Sequence, residues 1–216
     1  VLMHASAVTH DRHPFLIGVY DLSAKRDLVQ MLIEDMPSLV KAYEARSQRT
    51  HPRNPNARLV DRIPSLRLAN ACEGIGNAVY ALCELSAQFA NRASAAANAN
   101  PQIPSNFNQL CKRVLDGVAD PSLVGGVKRL EFYARVRELR TEWTHHSTVF
   151  IGTGPDNVPI LVARSERRRG DRVLFPQKTL FSVEKLLMWC REALQVVDEF
   201  SLECYRRYVV PQIVMD

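Results

Sequence analysis

An apolar stripe between residues 65 and 93 is the feature that most constrains how this chain can fold. Its members alternate steps of three and four residues, and they are Leu68, Cys72, Ile75, Val79, Leu82, Ser86 and Phe89. This spacing matches the 3.6-residue turn of an α-helix, so it predicts one long helix from about Ser65 to Ala93. A helix with such a stripe packs against other helices.

Further segments carry the same periodicity, so we predict a mainly α fold, a bundle of four or five helices. Their predicted positions are a helix from Ala24, a shorter one from Asn106 to about Val118, one from about Pro121 to His146, and a last one to about Val209 with Ser182 as N-cap. Ser23 is the expected N-cap of the first of these helices. Pro37 predicts a kink or a break near Met36, because proline removes a helical hydrogen bond.

The remaining segments are predicted to be non-helical. Residues 158–176 include "ILVARSERRRGDRVLF", two strands around an Arg/Gly turn, which predicts a β-hairpin inserted into the helical body. Residues 49–64 are rich in turn formers and are expected to be a loop. Residues 1–22 are expected to form an irregular N-terminal arm, in which "LIGVYDL" is a short strand or a docked extended segment. No internal repeat or boundary is visible, so a single domain over residues 1–216 is predicted.

The charge and the cysteine content of the chain indicate its binding partners and its cellular compartment. The net charge is +5, and 22 of the 28 basic residues are arginine, which contacts phosphate bidentately. This favours a nucleic-acid partner, although a GC-rich genome also enriches arginine. Five scattered cysteines without a CxxC pair indicate reduced thiols and a cytoplasmic protein. No run approaches the roughly 20 apolar residues of a membrane span, so no membrane association is expected.

The stretch "RVRELRTEWTHH" places Arg140 and His145 five positions apart on the predicted fourth helix. At about 100° per residue, the apolar residues of this helix form one stripe, and His145 falls nearly opposite it. The stripe consists of Phe132, Val136, Leu139 and Trp143. The helix therefore has a second, mixed face, which predicts a second neighbour, either another helix of the chain or the same helix of a partner subunit.

The same spacing also occurs at Arg46 and His51, within "RSQRTH". His51 is followed by Pro52 and a run of turn formers, and no feature of that segment fixes its geometry against Arg46. A functional site needs rigid support. We interpret this second match as a coincidence.

A long helix near the end of an all-α bundle, with Arg-x4-His at its C-terminal end, resembles the HEPN superfamily (higher eukaryotes and prokaryotes nucleotide-binding). The resemblance covers about residues 65–210, and its matching residues are Arg140 and His145. It implies a metal-independent endoribonuclease without a cofactor, whose composite site forms where two protomers of a homodimer place these helices side by side. The resemblance also suggests a toxin or phage-defence role, with an antitoxin or regulatory protein as partner.

Thr141 stands where that family often has Asn, Asp or His. The alternative is therefore a non-catalytic HEPN-like module that dimerises and binds RNA or a protein. A plainer alternative is an ordinary helical interaction domain in which Arg140 pairs with Glu73 or another acid.

The residue types suit RNA cleavage. RNA carries its own nucleophile, the 2′-OH, so the enzyme needs groups that move protons and a positive charge for the phosphate. Histidine transfers protons near neutral pH, and arginine stabilises the developing oxyanions. We assign catalysis to Arg140 and His145 and expect His146 and Thr141 to support them. Metal ligation is not expected, because adjacent histidines on a helix point about 100° apart.

Two further groups of residues are candidates. Glu73 shares a face of the second helix with Asn70, Asn77, Tyr80 and Glu84, which we expect to be solvated unless Glu73 orients the Arg/His site. The predicted hairpin tip carries five arginines that are candidates for RNA-backbone binding, namely Arg164, Arg167, Arg168, Arg169 and Arg172. The alternative for these arginines is a solvated loop balanced by Glu166 and Asp171.

Overall fold

The structure is a computed structural model, and it describes residues 16–47, 50–51, 54–58, 62–99, 102–120, 123, 131–141, 148–164, 167–169, 172–174 and 177–211. The described part contains five α-helices and antiparallel strands. The predicted fold class, a mainly helical bundle with an appended β-hairpin, is confirmed. None of the described helices is long and apolar enough to span a bilayer.

The five helices follow the predicted order but differ at their ends. Their bounds are α1 Leu16–Ser47, α2 Arg62–Ala96, α3 Phe107–Leu115, α4 Glu131–Thr141 and α5 Val183–Cys204, which continues as a π-helical turn over Tyr205–Val209. The structure thus describes the middle of the helix predicted over residues 121–146. Helix α3 ends before the predicted Val118, and Gly117 follows it with a φ of +70°, a conformation that glycine adopts without strain.

The N-terminal arm was predicted incorrectly for residues 16–22. Helix α1 already begins at Leu16, and Ser23 lies inside it instead of capping it. Val19 and Leu22 are buried, so the apolar face of this helix extends about two turns further upstream than its predicted start. Residues 1–15 of the predicted arm lie outside the described residues.

The break predicted near Met36 is also wrong, because α1 continues through Pro37. The proline side chain is exposed, whereas Ile33, Met36 and Tyr43 around it are buried. A proline removes one helical hydrogen bond, but burial of apolar side chains on both sides stabilises the helix across it.

The predicted loop over residues 49–64 contains regular structure. Strand β1 (Thr50–His51) pairs antiparallel with β2 (Asn54–Arg58), and α2 then begins at Arg62, three residues earlier than predicted. Only two residues separate β1 from β2, a connection typical of hairpins. Turn-forming residues led to the prediction of a loop, but they do not indicate whether the flanking residues pair.

The C-terminal half carries a three-stranded antiparallel sheet in the order β3-β4-β7, and a separate two-stranded pair, β5-β6. The bounds are β3 Thr148–Thr153, β4 Pro159–Arg164, β5 Arg167–Arg169, β6 Arg172–Leu174 and β7 Gln177–Ser182. Arg164 pairs with Gln177, and Arg167 pairs with Leu174 in the same register. The two described strand pairs of the predicted hairpin therefore share one register, and its second strand region extends beyond residue 176 to Ser182. Strand β3 was not predicted.

The chain divides into two compact units. The first comprises residues 1–30, 78–134 and 191–216, and the second comprises residues 31–77 and 135–190. Helices α1, α2, α4 and α5 contribute residues to both. The single domain expected over residues 1–216 stays a prediction.

Aromatic rings and an ion pair join the helices of the first unit. The Phe107 ring of α3 lies 4.9 Å from the Tyr133 ring of α4 and 6.2 Å from the Phe200 ring of α5. Arg26 of α1 donates through Nε to both carboxylate oxygens of Asp198 in α5, at 2.9 and 3.0 Å. Apolar packing thus supplies the interior, and an ion pair with a bifurcated hydrogen bond joins α1 to α5 at its edge.

The second unit joins helices to the three-stranded sheet. The hydroxyls of Tyr43 in α1 and Thr153 in β3 are 3.0 Å apart and share a hydrogen bond. Phe181 of β7 packs edge-on against Trp189 of α5, with ring centroids 4.8 Å apart. Leu161 of β4 is fully buried. This unit therefore has a mixed interior of helix and sheet residues.

Ser182 is the N-cap of α5, as predicted, because its Oγ accepts a hydrogen bond from the backbone N–H of Lys185 at 3.2 Å. Ser182→Ala is expected to lower the free energy of unfolding by about 1 kcal/mol, since it leaves a helical N–H without its acceptor. Ser182→Asp is expected to retain the wild-type value, because aspartate also caps. Urea denaturation measures both, and an alanine variant as stable as the wild type would contradict this role.

Candidate functional site

Helix α4, which carries Arg140, has one buried and one exposed side. Phe132, Val136 and Leu139 are fully buried, in agreement with the predicted apolar stripe. Residues at the exposed positions are Ala134, Arg135, Arg137, Arg140 and Thr141. Tyr133 lies outside the apolar stripe and is also buried. The second face of α4 is thus mostly polar and open in the single chain.

The predicted catalytic and supporting residues fall in three different settings. Arg140 is exposed in the last turn of α4, and the neighbouring Thr141 donates its hydroxyl to the Arg137 carbonyl at 2.9 Å. Glu73 lies half-buried on α2, and its contact with Arg140 stays a prediction. His145 and His146 lie outside the described residues, so the geometry between Arg140 and His145 also stays a prediction.

A half-buried carboxylate, Glu84, holds the first turn of α4. Its Oε1 accepts a hydrogen bond from the Tyr133 hydroxyl at 2.8 Å, and its Oε2 accepts from Asn106 Nδ2 at 3.1 Å and from the Phe107 backbone N–H at 3.4 Å. Burial raises the pKa of Tyr133, and the hydrogen bond to Glu84 raises it further. One carboxylate therefore connects α2, the start of α3 and α4.

The expectation that Glu84 is solvated is therefore wrong. Tyr80, Glu84, Ala87 and Asn91 recur at helical spacing on α2 and form a seam beside its apolar stripe. Ala87 is fully buried, and Asn91 Nδ2 donates to the Ile103 carbonyl at 2.6 Å. The sequence signal for this buried contact was Ala87, which lies in line with the polar residues. A small side chain at that position allows another segment to approach the helix closely.

Glu138, near the end of α4, forms ion pairs with two cations, one on the same helix and one on β7. Lys178 Nζ of β7 lies 3.2 Å from Glu138 Oε1, and Arg135 Nη1 lies 3.2 Å from Oε2. The hydrogen bond from Lys178 is the main cause of the lowered pKa of Glu138, and Arg135 adds to it. Glu138 precedes Arg140 by two residues. The helix end that carries Arg140 is thus connected to β7.

The predicted RNA-binding arginines lie on the β-ribbon. Arg164 is exposed at the end of β4, residues 167–169 form β5, and Arg172 begins β6 opposite Arg169. Their placement on a hairpin, inferred from the sequence, is confirmed for the backbone. The backbone of the five arginines therefore lies on three described strands, β4, β5 and β6.

The cysteines are placed as packing residues. All five cysteines are buried, and burial raises the pKa of Cys72, Cys111 and Cys204 to about 12. Such thiols remain protonated at neutral pH and are poor nucleophiles. Within the part of the chain that the structure describes, no three His, Cys, Asp or Glu side chains are grouped to hold a metal ion.

Comparison of the chain with protein-family models, curated proteins and solved structures finds no match.

Removing the Tyr133 hydroxyl tests the Glu84 connection. Tyr133→Phe is expected to lower the free energy of unfolding by roughly 1.5–3 kcal/mol, the range for a hydrogen bond to a charged group. Tyr20→Phe is the matched control, since Tyr20 is 72% exposed, and it is expected to have no measurable effect. Chemical denaturation compares the two, and equal losses would contradict a specific role for the Tyr133–Glu84 bond.

Removing the Lys178 charge tests the attachment of α4 to β7. Lys178→Met is expected to raise the pKa of Glu138 toward that of an ordinary glutamate, and Arg135 keeps part of the shift. A lowered folded-state pKa stabilises the fold above the ordinary carboxyl pKa of about 4.3 and ceases to do so as the pH falls through the folded value. When the pH falls below about 4.3, the free energy of unfolding of the variant should therefore decrease less than that of the wild type.

Carboxyl NMR titration measures the pKa of Glu138 directly. The matched control is Lys185→Met, which removes an exposed lysine from α5. An unchanged pKa of Glu138 in Lys178→Met, or the same rise in both variants, would show that the contact with Lys178 does not determine it.

Proposed function

We propose that the protein is a metal-independent endoribonuclease of HEPN type that acts as a homodimer. The observation that supports this most is the placement of Arg140, which is exposed at the end of a helix whose opposite side is buried. Near its start the helix is hydrogen-bonded to the half-buried Glu84 through Tyr133 (2.8 Å), and near its end Glu138 forms an exposed ion pair with Lys178 (3.2 Å). A phosphate-binding arginine needs a firmly packed helix, and the buried Phe132, Val136 and Leu139 supply that packing.

The proposed reaction requires no metal ion. One histidine accepts the proton of the RNA 2′-OH, and the 2′-oxygen attacks the adjacent phosphorus. The bond to the 5′-oxygen breaks, and a second histidine protonates that oxygen, which leaves a 2′,3′-cyclic phosphate and a 5′-OH. Arg140 stabilises the charge on the phosphate oxygens, and His145 of each protomer supplies one of the two proton-transfer groups.

The open side of α4 is the surface where a second copy is proposed to lie. Ala134 has a small side chain, and Arg137, Arg140 and Thr141 follow it at exposed positions. Two such helices side by side bring together two copies of Arg140 and His145. A nuclease of this kind needs restraint in the cell, so an antitoxin or other regulatory partner and a cytoplasmic location belong to the same proposal.

One observation favours a second candidate, a non-catalytic module that dimerises and binds RNA. The Thr141 hydroxyl donates to the Arg137 carbonyl at 2.9 Å, and this bond directs its only proton to the helix backbone. In that arrangement Thr141 does not donate to a phosphate. This candidate predicts RNA binding without cleavage.

Purified protein is expected to cut RNA in the presence of EDTA, with cyclic phosphate at the new 3′ ends. Arg140→Ala and His145→Ala are each expected to lower the cleavage rate at least 100-fold, because proton transfer and oxyanion stabilisation each contribute about that much. Gel analysis of a labelled RNA measures the rate, and circular dichroism verifies the fold.

The chain contains its own matched control. Arg46→Ala and His51→Ala alter the second Arg-x4-His spacing, and both variants are expected to cut at the wild-type rate. Undiminished cleavage by Arg140→Ala or His145→Ala would refute the proposed site. Binding of RNA without any cleavage by the wild type would support the non-catalytic candidate instead.

A further inference from the structure

A cavity of about 190 Å³ lies beside α3, and all the residues that line it belong to the first unit. Its apolar lining includes Ile103, Leu110 and Leu123, which are buried. Gln102 and Arg113 also line the cavity and are exposed, so it opens to solvent on one side. An engineered protein cavity of about 150 Å³ binds benzene. The cavity is therefore large enough for one ring-sized apolar group.

Hydrogen bonds fix the segments on either side of α3 that line this cavity. Before the helix, the Ile103 backbone N–H donates to the buried Ser94 Oγ at 3.1 Å. After the helix, the backbone N–H groups of Val118 and Ala119 both donate to the Arg113 carbonyl, at 2.8 and 3.0 Å. Sites for small molecules are usually formed before the ligand binds. These bonds give the cavity that property, because they hold its walls without a ligand.

The remaining wall is the π-helical turn that follows α5. The buried stripe of α5 advances by three or four residues at a time as far as Cys204, but the next buried residue is Val209, five positions further on. A regular α-helix would place Arg207 or Tyr208 at that core position. The π-turn instead leaves both residues on the cavity wall. Such turns are rare and are frequently found at functional sites.

Arg113 is the cation of the cavity that is suited to a ligand. Arg207 Nη1 lies 3.0 Å from Asp120 Oδ2, so these two lining residues form an ion pair with each other. Arg113 Nη1 donates to the Gln102 carbonyl at 3.1 Å, and that acceptor is neutral. A guanidinium has several further N–H donors in a fixed fork, which matches the two oxygens of a carboxylate.

The charges around the cavity favour a carboxylate over a phosphate. A carboxylate carries a single negative charge, which Arg113 balances. A phosphate monoester carries about −1.5 to −2 at neutral pH. Asp120 lines the same cavity and repels the additional charge. A monoanion with an apolar body therefore matches both the charged and the apolar parts of the lining.

We propose that this cavity binds a small carboxylate that carries a ring-sized apolar group. Arg113 holds the carboxylate through its guanidinium, and the apolar group lies against Ile103, Leu110 and Leu123. The site involves neither Arg140 nor His145, so it is a second function of the chain that does not rest on the proposed ribonuclease.

Titration with benzoate tests the site, because benzoate combines one carboxylate with one ring. Proton–nitrogen NMR spectra of the full-length protein, recorded at constant ionic strength, follow the backbone amides of Val118 and Ala119, which line the cavity. A ligand of this size is expected to bind with a Kd of about 0.1–10 mM. Benzamide lacks the charge and acetate lacks the ring, and each is expected to bind roughly 10-fold more weakly than benzoate. Phenyl phosphate is also expected to bind more weakly.

Two variants separate the role of Arg113 from a general effect of charge. Arg113→Gln is expected to weaken benzoate binding roughly 10-fold or more, because it removes a charge-assisted hydrogen bond, and to leave benzamide binding unchanged. Lys112→Gln is the matched control, since it removes the same charge from the adjacent, exposed position of α3. The control is expected to bind benzoate as the wild type does. Circular dichroism verifies the fold of both variants.

Several results would overturn the inference. They are the lack of a saturable shift with benzoate, equal affinity for benzoate and benzamide or acetate, and equal loss of affinity in the two variants. Tighter binding of phenyl phosphate than of benzoate would refute the carboxylate class. The two proposals also fail separately, because a wild type that cuts no RNA leaves the benzoate titration unaffected, and a failed titration leaves the cleavage assay unaffected.

Discussion

The hydrogen bonds that Glu84 accepts connect three helices of the first unit. A half-buried carboxylate without donors is costly, because it loses solvation without compensation. Here it accepts from the Tyr133 hydroxyl, the Asn106 side chain and the Phe107 backbone. Asn106 also caps α3 by accepting from Gln109 N–H at 3.1 Å. One side chain of α2 therefore contacts both the start of α3 and the first turn of α4, and these contacts add to the apolar packing that orients α4.

The orientation of α4 about its own axis matters because Arg140, the residue proposed to bind phosphate, lies in its last turn. Tyr133 and Arg140 are seven residues apart, close to two helical turns, so they lie on nearly the same side of the helix. The contact between Glu138 and Lys178 then ties the last turns to β7. Arg140 is thus presented from a helix that contacts both α2 and β7.

Particular residues show how far the sequence predicts this fold. The stripe from Leu68 to Phe89 and the cap at Ser182 were sufficient to locate α2 and α5, since both patterns are local. Pro37 and Ser23 led to errors in α1, because local preferences there are weaker than burial of Val19, Leu22 and Met36. Strand β3 was not predicted because "TVFIGT" is short and becomes a strand only by pairing with β4.

The sequence by itself determined the helical periodicity, the two-sided pattern of α4 and the arginine-rich hairpin, because each depends only on the spacing of residues that are close together in the chain. Only the tertiary structure decided that Glu84 is an internal acceptor, that Lys178 holds α4, and that β5 and β6 continue the register of β4 and β7. Those contacts join residues far apart in the chain. Helical or strand periodicity assigns a residue to a face, but the neighbour of that face depends on how the whole chain packs.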